Sequence, residues 1–386
     1  MTSRGRFLAG SLAASASAAP TPAGAQTLAL QTSVAVLCPL TGPDASSGQA
    51  LVNGVRGAID DANFTRLPND RFYALRTFDD QNTVAFALLS SRFAIDDQTQ
   101  SVAIGHLSGK VTDAVLQFYA NANMPIVVPA ASTDSLTAHG YRNVFRLPTK
   151  DTTEGILHAR VVKRDKRGST IAVVSLAQAD YGPAVASAFA RQAQADGLSA
   201  TPVQIDADSP DYPAAARAAL AAQPDLVFIA GLARDLGGII PALRTAGYRG
   251  NFNGSQGCFD AGLAPSYGDA VEGFIVSSSM PPLNQVPAIS RIKVDYESRY
   301  GGLNPISAFG YAAMQMVVTA SRRMGTNSRI VLARAFAQPI AFDTMVGSFT
   351  FDPFGDTNDP NVYFYQLTKG NWSYLHAAHP SGYIGR

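Results

Sequence analysis

The stretch VAIGHLSGKVTDAVLQFYANANMPIVVPAASTDS, residues 102–135, decides the fold. Its first apolar run, 102–105, stops in a small polar turn, His106-Leu107-Ser108-Gly109. A helical pattern follows from Thr112, with Val115, Leu116 and Tyr119 at helix-face spacing. A second apolar run, 126–128, then ends in Pro129-Ala130-Ala131-Ser132. This is strand, helix, strand. Both strands are too apolar to be half-exposed, which suits a parallel sheet covered on both faces. Ligands of such sheets sit beyond the carboxyl ends of the strands, where small residues leave backbone N–H groups free. Both strand ends here are small-residue turns, so the pattern predicts a pocket rather than a packing defect.

The same alternation extends in both directions. Upstream, a strand over 34–37 ends in Cys38-Pro39-Leu40-Thr41-Gly42-Pro43, and a helix follows with Leu51, Val55, Ala58, Ile59 and Ala62 on one face. A second strand, 72–78, closes on Asp79-Asp80-Gln81 before a helix over 83–95. Downstream, the chain leaves this sheet at Phe145-Arg146-Leu147-Pro148 and the alternation restarts. Strands are predicted at 170–176, 201–205, 225–231, 251–254 and 273–277, and helices at 183–197, 212–222 and 235–246. Met280-Pro281-Pro282 breaks the pattern. Helices over 287–300, 307–323 and 328–337 follow, and then antiparallel segments at 347–352, 362–367 and 372–375. The result is an α/β chain of two doubly wound lobes, whose last helices and hairpin return to cover both sheets.

Bulk properties narrow the function. The 386 residues suffice for two cores, and 30 basic against 29 acidic side chains leave a formal charge of +1. Neutral balance without a basic cluster argues against a nucleic-acid partner. No apolar run approaches a membrane span. Cys38 and Cys258 lie far apart without metal spacing and read as two buried free thiols; no cofactor or metal is expected. Residues 1–25 read as an export signal: Arg4 and Arg6 precede an apolar segment, and Ala23-Gly24-Ala25 forms a cleavage site before Gln26. Ser3, Arg4, Phe7 and Leu8 resemble a twin-arginine leader, with Gly5 in place of the second arginine, so Sec or a degenerate twin-arginine route remains open.

The opening VAVLCPLTGPDASSGQALVNGVRGAIDDAN resembles that of the type I periplasmic binding proteins, the leucine/isoleucine/valine-binding family of ABC importers. The turn G-P-x-A-x-x-G is present as Gly42, Pro43, Ala45 and Gly48. Further matches are Asp79-Asp80, Ile104-Gly105-His106-Leu107, Pro129-Ala130-Ala131-Ser132, Tyr181-Gly182 and Tyr311-Ala312-Ala313, in order from about 33 to 368. The resemblance implies two lobes joined by a multi-strand hinge and closing on a small-molecule solute. It divides the chain into 26–149 plus 282–356 for the N-terminal lobe and 150–281 plus 357–386 for the C-terminal lobe. It also implies a periplasmic monomer that delivers its solute to an inner-membrane ABC permease and is not an enzyme.

Carried over residue by residue, the resemblance places carboxylate contacts at Ser108 and Gly109 and at Ala130, Ala131 and Ser132, with Leu107 beside them among the ligand-binding residues. Tyr181 takes the second-lobe aromatic position, and Leu232 and Ile306 become pocket walls. Gln256 falls where amino-acid binders hold the ligand's ammonium with an acid, and Ser47 replaces a common aromatic. A buried ammonium needs a carboxylate or several strong acceptors, because unpaired desolvation is expensive, and only Asp180 or Asp260 could substitute for an acid at Gln256. The sequence therefore points to a small carboxylate-bearing or polar neutral solute. The alternatives are a branched-chain or other neutral amino acid, and an exported ligand sensor or enzyme on the same fold.

Competing motifs are weaker. Gly105 to Lys110 is one residue short of a phosphate loop and is followed by Val111 instead of Ser or Thr. Gly254-Ser255-Gln256-Gly257 lacks the spacing of a nucleophile elbow. His106 reads as structural, Asp79 and Asp80 as a helix cap bonded to a neighbouring loop, and His376 and His379 as part of a solvated tail.

Overall fold

The computed structural model describes residues 31–67, 70–285 and 287–382. The export signal and its cleavage point before Gln26 lie outside them. The first lobe alternates β1 (Gln31–Cys38), α1 (Ala45–Phe64), β2 (Phe72–Asp79), α2 (Val84–Asp96), β3 (Gln100–Gly105), α3 (Gly109–Asn121), β4 (Ile126–Val128) and β5 (Val144–Arg146). The strands form a parallel sheet in the order β2-β1-β3-β4-β5. Side chains alternate between its faces: Val34, Val36, Ile104 and Val127 enter one core, while Ala35, Leu37, Ala103 and Ile126 enter the other. Continuous apolar strands are what two covered faces require.

The second lobe runs through α4 (Asp151–Arg164), β6 (Thr170–Ala177), α5 (Pro183–Ala195), β7 (Ser199–Asp206), α6 (Tyr212–Ala221), β8 (Leu226–Ala230), α7 (Ala233–Leu236), α8 (Ile239–Thr245), β9 (Asn251–Gly254), α9 (Leu263–Tyr267) and β10 (Ile275–Ser278). The chain then returns to the first lobe with α10 (Pro287–Tyr300), α11 (Pro305–Met324), α12 (Arg329–Phe336) and the hairpin β11 (Phe342–Thr344)–β12 (Gly347–Phe349). It finishes in the second sheet with β13 (Val362–Thr368) and β14 (Asn371–Ala378), giving the order β14-β13-β10-β9-β8-β6-β7. β13 runs antiparallel to both of its neighbours.

The chain thus passes between the sheets three times, and the three connections are tied together. Thr149 in the first donates its N–H to Ser279 Oγ in the second at 3.1 Å, and its hydroxyl to the Asn361 carbonyl in the third at 3.1 Å. Asp356, also in the third, pairs with buried Arg146 and with Lys150 and accepts from Thr137 Oγ1. Helix α11 is set at its start by a capping box, with Asn304 accepting from the Ser307 N–H and Ser307 Oγ accepting in return. It packs closely on α1: a Cβ on Gly54 would lie 2.0 Å from the Ser307 carbonyl oxygen.

Four sequence expectations change. The helix expected over 235–246 is two pieces, because Gly237 and Gly238 let the rings of Tyr267 and Tyr212 approach the backbone. The helix expected from Thr112 starts a turn earlier, at Gly109, because Ser108 caps it by accepting from the Val111 N–H. Asp79 and Asp80 do not cap α2; Thr83 does. Asp79 binds the neighbouring loop through Leu40 N and Thr41 Oγ1, and Asp80 pairs with buried His106 at 2.5 Å. His376 is no solvated tail residue: it lies buried in β14, stacked on Phe364.

Candidate functional site

A cavity of about 630 Å³ lies between the lobes and is lined from both. From the first lobe come Leu107, Ser108 and Gly109 after β3, Ala130, Ala131 and Ser132 after β4, and Ile306 at the start of α11. From the second come Tyr181 after β6, Leu232 after β8 and Gln256 after β9. Every candidate residue read from the sequence therefore faces this one cavity. The parallel topology explains why, since all these turns leave the carboxyl ends of their strands on the same side.

On the first-lobe wall the turns at 108–109 and 130–133 touch. A Cβ on Gly109 would lie 1.9 Å from Thr133 Oγ1, so a larger residue there would have to displace Thr133. Arg146 holds the second turn from below, donating to the carbonyls of Ser132 and Thr133 at 2.9 and 2.7 Å, and the Asp151 N–H also donates to Ser132. These bonds occupy the carbonyls of Ser132 and Thr133. Asp151, buried beside the Ser132 hydroxyl, has its acid pushed up to about 6 by desolvation.

The second-lobe wall rests on a residue the sequence reading missed. Glu154, on α4 and 2% exposed, sits behind the wall. Its Oε1 accepts from the Gln256 N–H at 2.6 Å and from Ser277 Oγ at 2.7 Å, and its Oε2 accepts from the Tyr181 hydroxyl at 3.1 Å. The Gly257 N–H donates in turn to the Tyr181 oxygen at 3.3 Å. Burial outweighs these donors and pushes the Glu154 acid up to about 7. Burial also holds the His158 imidazole down at about 3, so it is neutral, with Nδ1 placed to donate to Ser277 Oγ and Nε2 to accept from Asn253. One sequence signal could have found Glu154. It falls with Leu157, His158 and Val161 on the buried stripe of its helix, where an acid is out of place.

The Gln256 side chain differs from expectation in one respect. Its carbonyl oxygen is already engaged, accepting from Ser279 Oγ at 3.1 Å. Ser279 Oγ accepts from the Thr149 N–H and donates to the Gln256 oxygen, which ties the amide to the first interlobe connection. Among the described residues nothing accepts from the amide NH₂, which remains for the cavity. Asp180 and Asp260 also line the cavity, and Asp180 accepts from the Lys110 N–H across it at 2.7 Å.

Among the described residues no group of His, Cys, Asp and Glu is placed to hold a metal, and no helix is long and apolar enough to cross a membrane. Cys38 and Cys258 are buried and free, and burial pushes both thiols up.

The chain is 26% identical to Leu/Ile/Val-binding protein homolog 1 of Brucella melitensis, over 87% of this chain and 90% of that protein. The structure resembles that of a leucine-binding protein from Thermotoga maritima, with TM-score 0.82 and 21% identity, covering 91% of this chain and 99% of that one. It also resembles a solute-binding protein of an ABC transporter from R. palustris in complex with benzoate, with TM-score 0.79 and 20% identity over 93% and 98% of the two chains. Residues 31–371 match the family model described as periplasmic binding protein, a range that covers both sheets up to β14 and every wall of the cavity, and the chain belongs to that family.

Proposed function

We propose that this periplasmic binding protein is the receptor of an ABC importer and captures a small carboxylate-bearing or polar neutral solute between its lobes. The solute binds most tightly when the lobes are closed, so binding shifts the hinge equilibrium toward the closed form. The receptor acts as a periplasmic monomer after loss of residues 1–25, presents the closed form to the inner-membrane permease, and releases the solute unchanged.

The observation that carries the solute class is the Gln256 amide, whose oxygen is bound by Ser279 and whose NH₂ is left for the cavity. Together with the turn at Ala130, Ala131 and Ser132 it supplies donors, which suit carboxylate or carbonyl oxygens and put no acid at the Gln256 position to hold an ammonium. Glu154 does not reverse this, because both of its oxygens are engaged behind the wall. The benzoate complex of the R. palustris protein supports the reading that this fold serves acids without an ammonium group. A second reading, capture of a branched-chain or other neutral amino acid, is favoured by the Brucella relative's name and by the leucine-binding neighbour.

Mass spectrometry of solute released by denaturing the purified periplasmic protein tests the proposal. Calorimetry of amino acids, aromatic acids, aliphatic acids and amides on the stripped protein completes it. The proposal expects an unmodified acid or amide in the released fraction and tighter binding of that class than of leucine, isoleucine or valine. Recovery of a neutral amino acid, or submicromolar binding of one, refutes it.

A further inference from the structure

Glu154 receives three donors, and among the described residues none of them is a lysine or an arginine. Its Oε1 is fixed as an acceptor by the Gln256 backbone N–H, which can only donate. Its Oε2 is bonded to the Tyr181 hydroxyl, which can donate or accept. The wall therefore serves both charge states of the acid. Ionised, Glu154 accepts from Tyr181. Protonated on Oε2, it donates to the Tyr181 oxygen, and the bonds at Oε1 persist. The Gly257 N–H still donates to the same phenol oxygen, and Ser255, the further side chain hydrogen-bonded to Tyr181, can take the phenol proton.

We infer that Glu154 is a proton-linked affinity residue: capture of a solute carboxylate is accompanied by transfer of one proton from solvent to Glu154 Oε2. The inference rests on the carboxylate reading of the solute given above. Gln256 lines the cavity with its side chain and holds Glu154 through its backbone, so a carboxylate beside it brings a second negative charge near the first. Like charges favour protonation of the buried one. Only the new O–H bond forms, and the proton comes from water or a buffer acid. The other groups around Glu154 do not change charge in the same range. On its own helix Asp151 titrates lower, at about 6, and His158 is held neutral. Burial raises the Tyr181 phenol and the Cys258 thiol, and Asp180 and Asp260 are the further acids on their two turns. Helix α5 presents apolar Val185, Ala188 and Phe189, and β10 presents uncharged Ser277. Glu154 itself stands at about 7 before any solute charge is added.

Titration calorimetry on the full chain, stripped by unfolding and refolding, tests the link with 4-methylpentanoate, benzoate and acetate, each beside its own amide. The tightest-bound acid should weaken about fivefold to tenfold between about pH 6.5 and 8.5, because at most one proton is exchanged. Its amide should bind equally at both. Near neutral pH the apparent enthalpy of the acid should change with the ionisation enthalpy of the buffer, by about half a proton or more per solute. Glu154→Gln copies the protonated form, its amide oxygen accepting from Gln256 and its NH₂ donating to Tyr181. It should bind the acid at both pH values as tightly as the wild type does at the lower, without proton uptake. Acid affinity independent of pH, an enthalpy independent of buffer, or a pH dependence retained in Glu154→Gln overturns the link alone. Failure of all three acids to bind overturns the link and counts against the solute reading with it. The buffer comparison uses the unmodified chain, so the test survives a variant that does not fold.

Discussion

Gln256→Glu tests the reasoning about the binding wall. In the wild type the amide oxygen is held by Ser279 Oγ at 3.1 Å, so the cavity is offered the NH₂. A glutamate keeps the acceptor for Ser279 but replaces the NH₂ with a second carboxylate oxygen. Its backbone N–H already donates to Glu154 at 2.6 Å, so the new charge stands close to a buried acid and to Asp180 on the same cavity. A solute carboxylate loses a charge-assisted donor worth roughly 1.5–3 kcal/mol and meets repulsion as well. By affinity arithmetic, binding of an acid should weaken about tenfold to more than a hundredfold. An ammonium-bearing solute should move in the opposite direction by a similar factor. Leucine and 4-methylpentanoate make a matched pair, differing only in the ammonium group, and titration calorimetry of both on each protein measures the ratio directly. The wild type should prefer 4-methylpentanoate and Gln256→Glu should reverse the order. Ser279→Ala, which frees the amide to turn over, should reduce the wild-type discrimination without reversing it. Submicromolar leucine binding by the wild type, or an unchanged ratio in Gln256→Glu, refutes the assignment of the NH₂ to the solute.

Three further outcomes are expected. Glu154 is raised from the ordinary 4.5 to about 7, so between these values the folded protein holds a proton that the unfolded chain has lost, and stability falls as pH rises. At about 1.4 kcal/mol per pKa unit this amounts to roughly 3 kcal/mol. The melting temperature of Glu154→Gln relative to wild type should therefore climb by several degrees over that window, and a pH-independent difference would refute the burial argument. Gly54→Ala drives a Cβ to 2.0 Å from the Ser307 carbonyl oxygen, and should destabilise by about 1–3 kcal/mol or more by forcing α1 from α11. A melting temperature within a degree of wild type would show that the helices have room to move. The intact mass of the periplasmic protein should correspond to a chain starting at Gln26. Retention of residues 1–25 would refute the export signal.

The sequence by itself determined the α/β alternation, because apolar strands such as 102–105 and 126–128 and the helix faces between them are written in local periodicity. It also marked the turns at Leu107 to Gly109 and Ala130 to Ser132, since small residues at a parallel strand's carboxyl end have few other uses. The helix start at Gly109 was within reach through the Ser108 cap, whereas the break at Gly237-Gly238 depended on rings from α6 and α9. Only the tertiary structure decided the chemistry of the cavity wall. The Gln256 amide is tied to Ser279 and Thr149, which are 23 and 130 residues from their partners in the chain. Glu154 reaches Gln256 across 102 residues, and Asp180 reaches Lys110 across 70. A hydrogen bond is set by a distance and an angle that local sequence pattern does not encode, so these partners emerge only when the two sheets have brought their strand ends together.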